Sequence, residues 1–229
     1  MRVLVCIDDT DNLDSIGTGE IADGIAKGIE KQGWGKSYGV TRHQLLVHPD
    51  IPYTSHNSAM CFPVVTTQPH LQDIISYAEN ILEKDCAEGS DPGLCVCVPQ
   101  LLSDRSLLTD FGYKAKQVVL TKDEAYDLAA QLNIHLTEHG GTGQGVIGAL
   151  AGAGLRLGGN DGRFKGKLNI GTPDNTIRVG DILNNYPVDL VQSLDGKVLN
   201  NSEVIRLGEK VKKVLLRDKS VVLVYRDEA

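Results

Sequence analysis

Apolar residues in this chain cluster at two periods. The segment Arg2 to Ile7 is a short β-branched run stopped by charged and turn residues, and it reads as a buried strand. After a polar stretch, Ile21, Ala22, Ile25, Ala26 and Ile29 recur at helical spacing with Lys27, Glu30 and Lys31 on the other side. That pattern predicts an amphipathic helix ending near Gly33. A second helix is predicted over Gln72 to Lys84, where Ile74, Ile75, Ala78, Ile81 and Leu82 share one face. Tyr38 to Val47, Ala59 to Thr66 and Leu94 to Val98 read as strands, the last after an Asp91-Pro92-Gly93 turn. Two prolines enforce an extended path through Pro49-Asp50-Ile51-Pro52.

Thr121 opens a further helix, with Glu124 three residues on as the partner of a capping box. Ala125 to Ile134 reads as helical, and His135 and His139 are placed four apart on one helical face, without the third ligand or His-Glu-x-x-His context that zinc requires. No strand is expected before the glycine-rich loop Gly140-Gly141-Thr142-Gly143-Gln144-Gly145. That loop leads into a small-residue helix from Val146 to Gly154, whose Gly148, Ala149, Gly152 and Ala153 would let another backbone approach closely. Beyond it the pattern changes. Turn signals at Pro173-Asp174-Asn175 and Leu194-Asp195-Gly196-Lys197 separate short β-favouring runs, and Ser220 to Tyr225 is a final strand.

Charge marks the same change. The 229 residues carry a net charge of −7, yet the part from Lys165 onward is net positive. The expected organisation is therefore α+β: a mixed α/β domain over residues 1–164 and a small β-rich module over 165–229, joined at the turn-rich stretch Gly158 to Gly162. The 41% hydrophobic content suits a packed core and excludes collagen, coiled coil and outright disorder. The longest apolar runs fall far short of the ~18–20 residues that span a bilayer, so no membrane association is expected. Acidic residues follow the first apolar stretch where a signal peptide needs a longer one, which predicts a cytoplasmic protein. Cys6, Cys61, Cys86, Cys95 and Cys97 include no Cys-x-x-Cys and read as reduced thiols, mostly buried.

The densest chemistry lies at Asp8-Asp9-Thr10-Asp11-Asn12-Leu13-Asp14, just past the first strand. Carboxylates this close repel one another unless a cation or hydrogen-bond donors compensate. Mg²⁺ suits such a loop, because it takes one or two protein carboxylates, keeps waters and adds phosphate oxygens. A solvated acidic turn, with Asp14 or Ser15 helping to cap a helix, is the plainer alternative. Thr18, between Gly17 and Gly19, would be an ordinary N-cap or would lie beside a phosphate at a helix N-terminus. The glycine-rich loop is either a second phosphate cradle or a device for tight helix packing; it is not a Walker A loop, since Val146 and Ile147 stand where Lys and Ser/Thr are required. Asn57-Ser58-Ala59 is a polar turn suited to orienting a substrate or merely to joining two strands. The basic residues Arg206, Lys210, Lys212, Lys213, Arg217 and Lys219 have no interleaved aromatics for base stacking.

In their order along the chain these signals resemble the N-terminal kinase-like domain of the archaeal isoleucine-tRNA 2-agmatinylcytidine synthetase family. The opening Arg2 to Asp11 is similar to that family's strand and Ile-Asp-Asp-Thr-Asp motif, Arg42 to Tyr53 to its Arg-Leu-(x)-Asn-Pro-(x)-Ile-Pro segment, His56 to Ala59 to its Arg-Gly-Asn-Gly-Ala, Asp91-Pro92-Gly93 to its Asn-Pro-Gly, and Gly145 to Ala151 to its Gly-Leu-Ile-Gly-Ala-Leu-Ala. The likeness spans roughly residues 1–158. It implies ATP-dependent phosphoryl transfer that activates a carbonyl of a tRNA cytidine for attack by agmatine, in a domain unlike protein kinases or P-loop enzymes. It implies that Asp8, Asp9 and Asp11 hold Mg²⁺, that Thr18, which matches a threonine phosphorylated in the family, lies by the phosphates, and that Asn57 and Gly141, Thr142, Gly143, Gln144 and Gly145 contact ATP or its product phosphate.

The expectation is thus a cytoplasmic, Mg²⁺-dependent kinase-like or ligase-like enzyme that uses ATP on a small-molecule or nucleotide-derived acceptor. The acidic pI of about 5.3 argues against this chain gripping a tRNA alone. The alternatives are a nucleotide-binding regulator without catalysis, and a tRNA-modifying subunit whose RNA-binding parts lie on another chain. Oligomeric state is not legible.

Overall fold

A computed structural model describes residues 1–51, 56–172 and 174–225. The sequence features at Pro52, Tyr53, Ser55 and Pro173 lie outside them. The chain divides into two compact units, Met1–Gly158 and Gly159–Ala229.

In chain order the first unit comprises β1 (Arg2–Asp8), α1 (Thr18–Lys31), β2 (Gly35–Ser37), β3 (Thr41–Gln44), β4 (Ser58–Thr66), α2 (Leu71–Asp85), β5 (Gly93–Cys97), α3 (Arg105–Lys114), α4 (Lys122–Leu132), β6 (His135–Glu138) and α5 (Gly145–Gly158). Its strands form one antiparallel sheet in the order β6-β5-β1-β4-β3, with β2 also pairing with β4. In register, Cys6 lies between Cys61 and Cys95.

Strand β1 is buried on both faces, and its alternation sorts the core into two layers. Val3, Val5 and Ile7 pack with Ile21, Ile25 and Ile29 of α1 and with Ile74, Ala78 and Leu82 of α2. Leu4 and Cys6 pack in a second cluster with Leu108 and Phe111 of α3, Ala125 and Ala129 of α4, and Ala149, Leu150 and Ala153 of α5. The small-residue helix α5 approaches the sheet as its composition predicts: a Cβ at Gly152 would meet Cys6 Sγ at 2.6 Å and Ala59 Cβ at 2.7 Å. Cys6, Cys61, Cys95 and Cys97 are buried free thiols, and burial raises the pKa values of Cys6, Cys95 and Cys97.

Some local readings need correction. The capping box of α4 is present, with Thr121 Oγ1 accepting from the Glu124 N–H and Glu124 accepting from the Thr121 N–H. That helix stops at Asn133, which takes the left-handed conformation at φ 52°. His135 therefore lies on strand β6 rather than on a helical face with His139. A short strand does precede the glycine-rich loop. His135 Nε2 is hydrogen-bonded to Glu79 at 3.1 Å, while His139 Nε2 meets Thr137 Oγ1 at 2.8 Å. The strand expected over Tyr38–Val47 is confined to Thr41–Gln44, and α3 is a helix beyond those the sequence reading expected.

The second unit contains β7 (Arg163–Phe164), β8 (Thr176–Arg178), α6 (Val179–Asn185), β9 (Leu190–Ser193), β10 (Val204–Arg206), β11 (Lys213–Leu216) and β12 (Lys219–Val224). Strand β11 pairs antiparallel with β7 and β12, β12 pairs parallel with β9, and β8 and β10 form a separate two-stranded ribbon. Its core is Val179, Ile182, Val188, Val191, Ile205 and Val222. Among the described residues no helix is long and apolar enough to cross a membrane.

Candidate active site

The acidic loop begins where β1 runs out. Asp8 is the last residue of the strand and is buried, whereas Asp9 turns the chain with φ 51°, a left-handed conformation that Asp tolerates better than most residues. This turn carries the chain toward α1, whose N-cap is Gly17 rather than Thr18. Thr18 is the first helical residue and caps nothing. Its hydroxyl donates to Asp11 Oδ1 at 3.1 Å, so the ordinary capping explanation for this threonine does not hold. Ser15 is likewise occupied locally, accepting from the Asn12 N–H at 2.9 Å.

Asp8, Asp9, Asp11 and Thr18 line one cavity of about 340 Å³ with Asn57, Ser58, Gln144 and Gly145. An apolar part of the cavity wall is built from Leu45, Val118, Val119, Leu120 and Ile147. Asn57 shapes this wall: its side-chain amide donates to the Leu46 carbonyl at 2.6 Å, and its own carbonyl accepts from Leu45 N–H at 2.8 Å. Leu46 N–H in turn donates to the Ala115 carbonyl at the end of α3.

Electrostatics in the cavity are strained in one direction. Burial pushes the Asp8 carboxyl up to about 8, with the charges of Asp9 and Asp11 adding to it. Asp9 is pushed up to about 6, again by burial first and then by Asp91 and Asp11. Both carboxylates would be relieved by a cation. Among the described residues no three His, Cys, Asp or Glu side chains are grouped closely enough to enclose a metal ion. The carboxylates present do not make a closed protein cage.

The glycine-rich loop is split. Gln144 and Gly145 line the cavity, but Thr142 is turned away, donating from its N–H and its hydroxyl to the two carboxylate oxygens of Asp91. Gly143 lies beside Glu138 and Lys122. Three contributors escaped the sequence reading. Asp91 looked like part of a turn, Gly148 looked like a packing residue, and Val118-Val119-Leu120 lay in a stretch without periodicity. The last carried a faint signal in its two adjacent β-branched residues, which the fold leaves 44% and 43% exposed.

No protein-family model and no curated protein matches the chain. Solved structures do. A tRNA fluorescent labeling enzyme is 31% identical over 67% of this chain and 36% of its own, with a TM-score of 0.59. Apo TiaS, an agmatidine synthetase acting on an isoleucine tRNA, is 24% identical over 97% of this chain and 58% of its own, also at 0.59. The complex of TiaS with that tRNA and ATP is 23% identical over 98% of this chain and 58% of its own, with a TM-score of 0.59. The protein is thus a mixed α/β protein with an acidic cavity at the end of its central strand. It is related, at the level of the fold, to the TiaS family of tRNA agmatidine synthetases, as its opening motif implied. The chain spans between about a third and three-fifths of the length of these structures.

Proposed function

We propose that this chain is an ATP-using enzyme of the tRNA-modification class, in which a Mg²⁺-bound nucleotide occupies the acidic cavity and its terminal phosphate activates the acceptor. The observation that carries this reading is the gathering of the Asp8–Asp11 loop, Thr18 and the start of α5 around one space. One or two of Asp8, Asp9 and Asp11 would hold the ion, whose role when bound is to neutralise charge on the phosphates. Thr18, anchored by Asp11, places a hydroxyl at the start of α1, where backbone N–H groups and the helix dipole favour phosphate. The first turn of α5 also borders the cavity, and Leu45, Leu120 and Ile147 give it apolar lining. Asn57 and Ser58 would orient the acceptor or the nucleotide.

Kinase-like release of ADP and ligase-like consumption of the activated acceptor are successive halves of one such reaction, and the product formed decides which half this chain performs. The similar structures are described as acting on or binding tRNA, and one TiaS structure contains AMPCPP and agmatine. They support tRNA as the acceptor class here, in preference to the small molecule that the acidic composition suggested. The test is to incubate the chain with Mg²⁺ and radiolabelled ATP, with and without bulk tRNA and a panel of amines. tRNA-dependent ATP turnover that Asp9→Ala abolishes is expected. Tight Mg²⁺·ATP binding without turnover under any condition would make the chain a nucleotide-binding regulator, and no binding in calorimetry would end the nucleotide reading.

A further inference from the structure

We infer that Asp91 is a positioning residue for this cavity: it braces the glycine-rich loop so that the first turn of α5 stays against Asp8. The inference builds on the nucleotide reading above and adds to it a residue that does not itself line the cavity.

Asp91 is buried two residues before the start of β5. Its two carboxylate oxygens take both donors of Thr142, the backbone N–H at Oδ1 and the hydroxyl at Oδ2. Its main-chain carbonyl accepts from the Gly145 N–H at 3.1 Å. One residue therefore closes both ends of the stretch 142–145. The neighbouring carbonyl of Pro92 adds a bond from the His139 N–H at 2.8 Å, just upstream of the loop. The fit leaves no room to spare: Gly141 has φ +58°, and a Cβ there would lie 1.5 Å from Asp91 Oδ1. On the outer side Lys122 Nζ donates to the Thr142 carbonyl at 2.8 Å and to Glu138 at 2.6 Å.

Loop residues 141–143 are consequently occupied in holding the loop, and the chain reaches the cavity from Gln144 onward. What they hold is the helix start. A Cβ at Gly145 would meet the Asp91 carbonyl at 2.0 Å and the Asp8 carbonyl at 3.2 Å, so these backbones are pressed together with no side chain between. If the brace is released, the helix N-terminus that faces the phosphate loses its fixed distance from the acidic loop. Positional errors of about 1 Å at a reacting centre are expensive.

The experiment compares Asp91→Ala, Thr142→Val and Asp91→Asn in the full chain. Asn can still accept from the Thr142 N–H and donate to its hydroxyl oxygen, so it keeps the brace while removing the charge. Calorimetric Kd for Mg²⁺·ATP should weaken ~10- to 100-fold in Asp91→Ala and by a similar factor in Thr142→Val, and by no more than about threefold in Asp91→Asn. Amide exchange over 140–148 should accelerate in the first two and stay near wild type in the third, which reads the brace without any nucleotide. Wild-type affinity and exchange in Thr142→Val, or an Asp91→Asn as weak as Asp91→Ala, would overturn the inference. A wild-type chain that binds no nucleotide would defeat the proposed function instead, while the exchange comparison still decides the brace.

Discussion

Gly148 and Asp8 are in such close contact that a Cβ on the glycine would lie 1.6 Å from Asp8 Oδ2. The helix α5 and the carboxylate that ends β1 are thus fitted to one another. Gly148→Ala should displace the Asp8 carboxylate, because the helix backbone is held by its packing on the sheet while a side chain can rotate. We expect ATP-dependent activity to fall ~10- to 100-fold, with thermal stability changed far less than activity. Steady-state turnover beside a melting curve checks this, and undiminished activity would contradict it.

Asp8 also sets a pH dependence of stability. Its folded-state pKa is raised to about 8 from 3.8, so the folded chain binds its proton more tightly than the unfolded chain does. Stability is therefore lost as pH rises from about 4 toward 8, at up to ~1.4 kcal/mol per unit of pKa difference. Asp8→Asn removes this loss. In a metal chelator the variant should exceed wild type in urea stability at pH 8 and converge on it near pH 4, while losing ATP-dependent activity. A constant difference across that range would contradict the linkage.

The bond from Thr18 to Asp11 predicts a graded series. Thr18→Ser keeps the hydroxyl and should bind Mg²⁺·ATP as wild type does, whereas Thr18→Val should weaken binding ~3- to 10-fold through loss of one hydrogen bond to a charged group. Equal binding in both variants would show that the hydroxyl plays no part.

Thr121→Ala breaks the capping box of α4. A loss of ~1 kcal/mol in denaturant stability is expected, and a change of less than a few tenths of that in a denaturation series would contradict it.

The thiols should be inert in the native state. Cys6, Cys61, Cys95 and Cys97 are buried, and the Cys86 thiol is pushed up to about 12 by burial and by Asp85, Asp11 and Asp9. A thiol reagent at pH 8 should label the folded chain far more slowly than a free cysteine, and all five should react in guanidinium. Fast native labelling would contradict the packing described.

Local pattern made several parts of this protein legible. The β-branched run of β1, the apolar stripes of α1 and α2, the capping box at Thr121 and the close-packing composition of α5 are properties of residues a few positions apart, and each appears in the structure where its pattern fell. The Asp8–Thr18 loop was legible as candidate chemistry for the same reason, since charge crowding within seven residues is a local fact.

Other features depend on residues far apart in sequence. That β1 lies between two antiparallel neighbours, that Thr18 turns to Asp11 and leaves capping to Gly17, and that His135 stands on a strand were decided by packing and by the left-handed turn at Asn133. The division of the glycine-rich loop between a cavity wall and a brace on Asp91 was decided in the same way, across 51 positions of sequence. Periodicity reports which face of an element is buried. It carries no information about which distant backbone will press against that face, because that choice is made by the joint packing of all the elements at once.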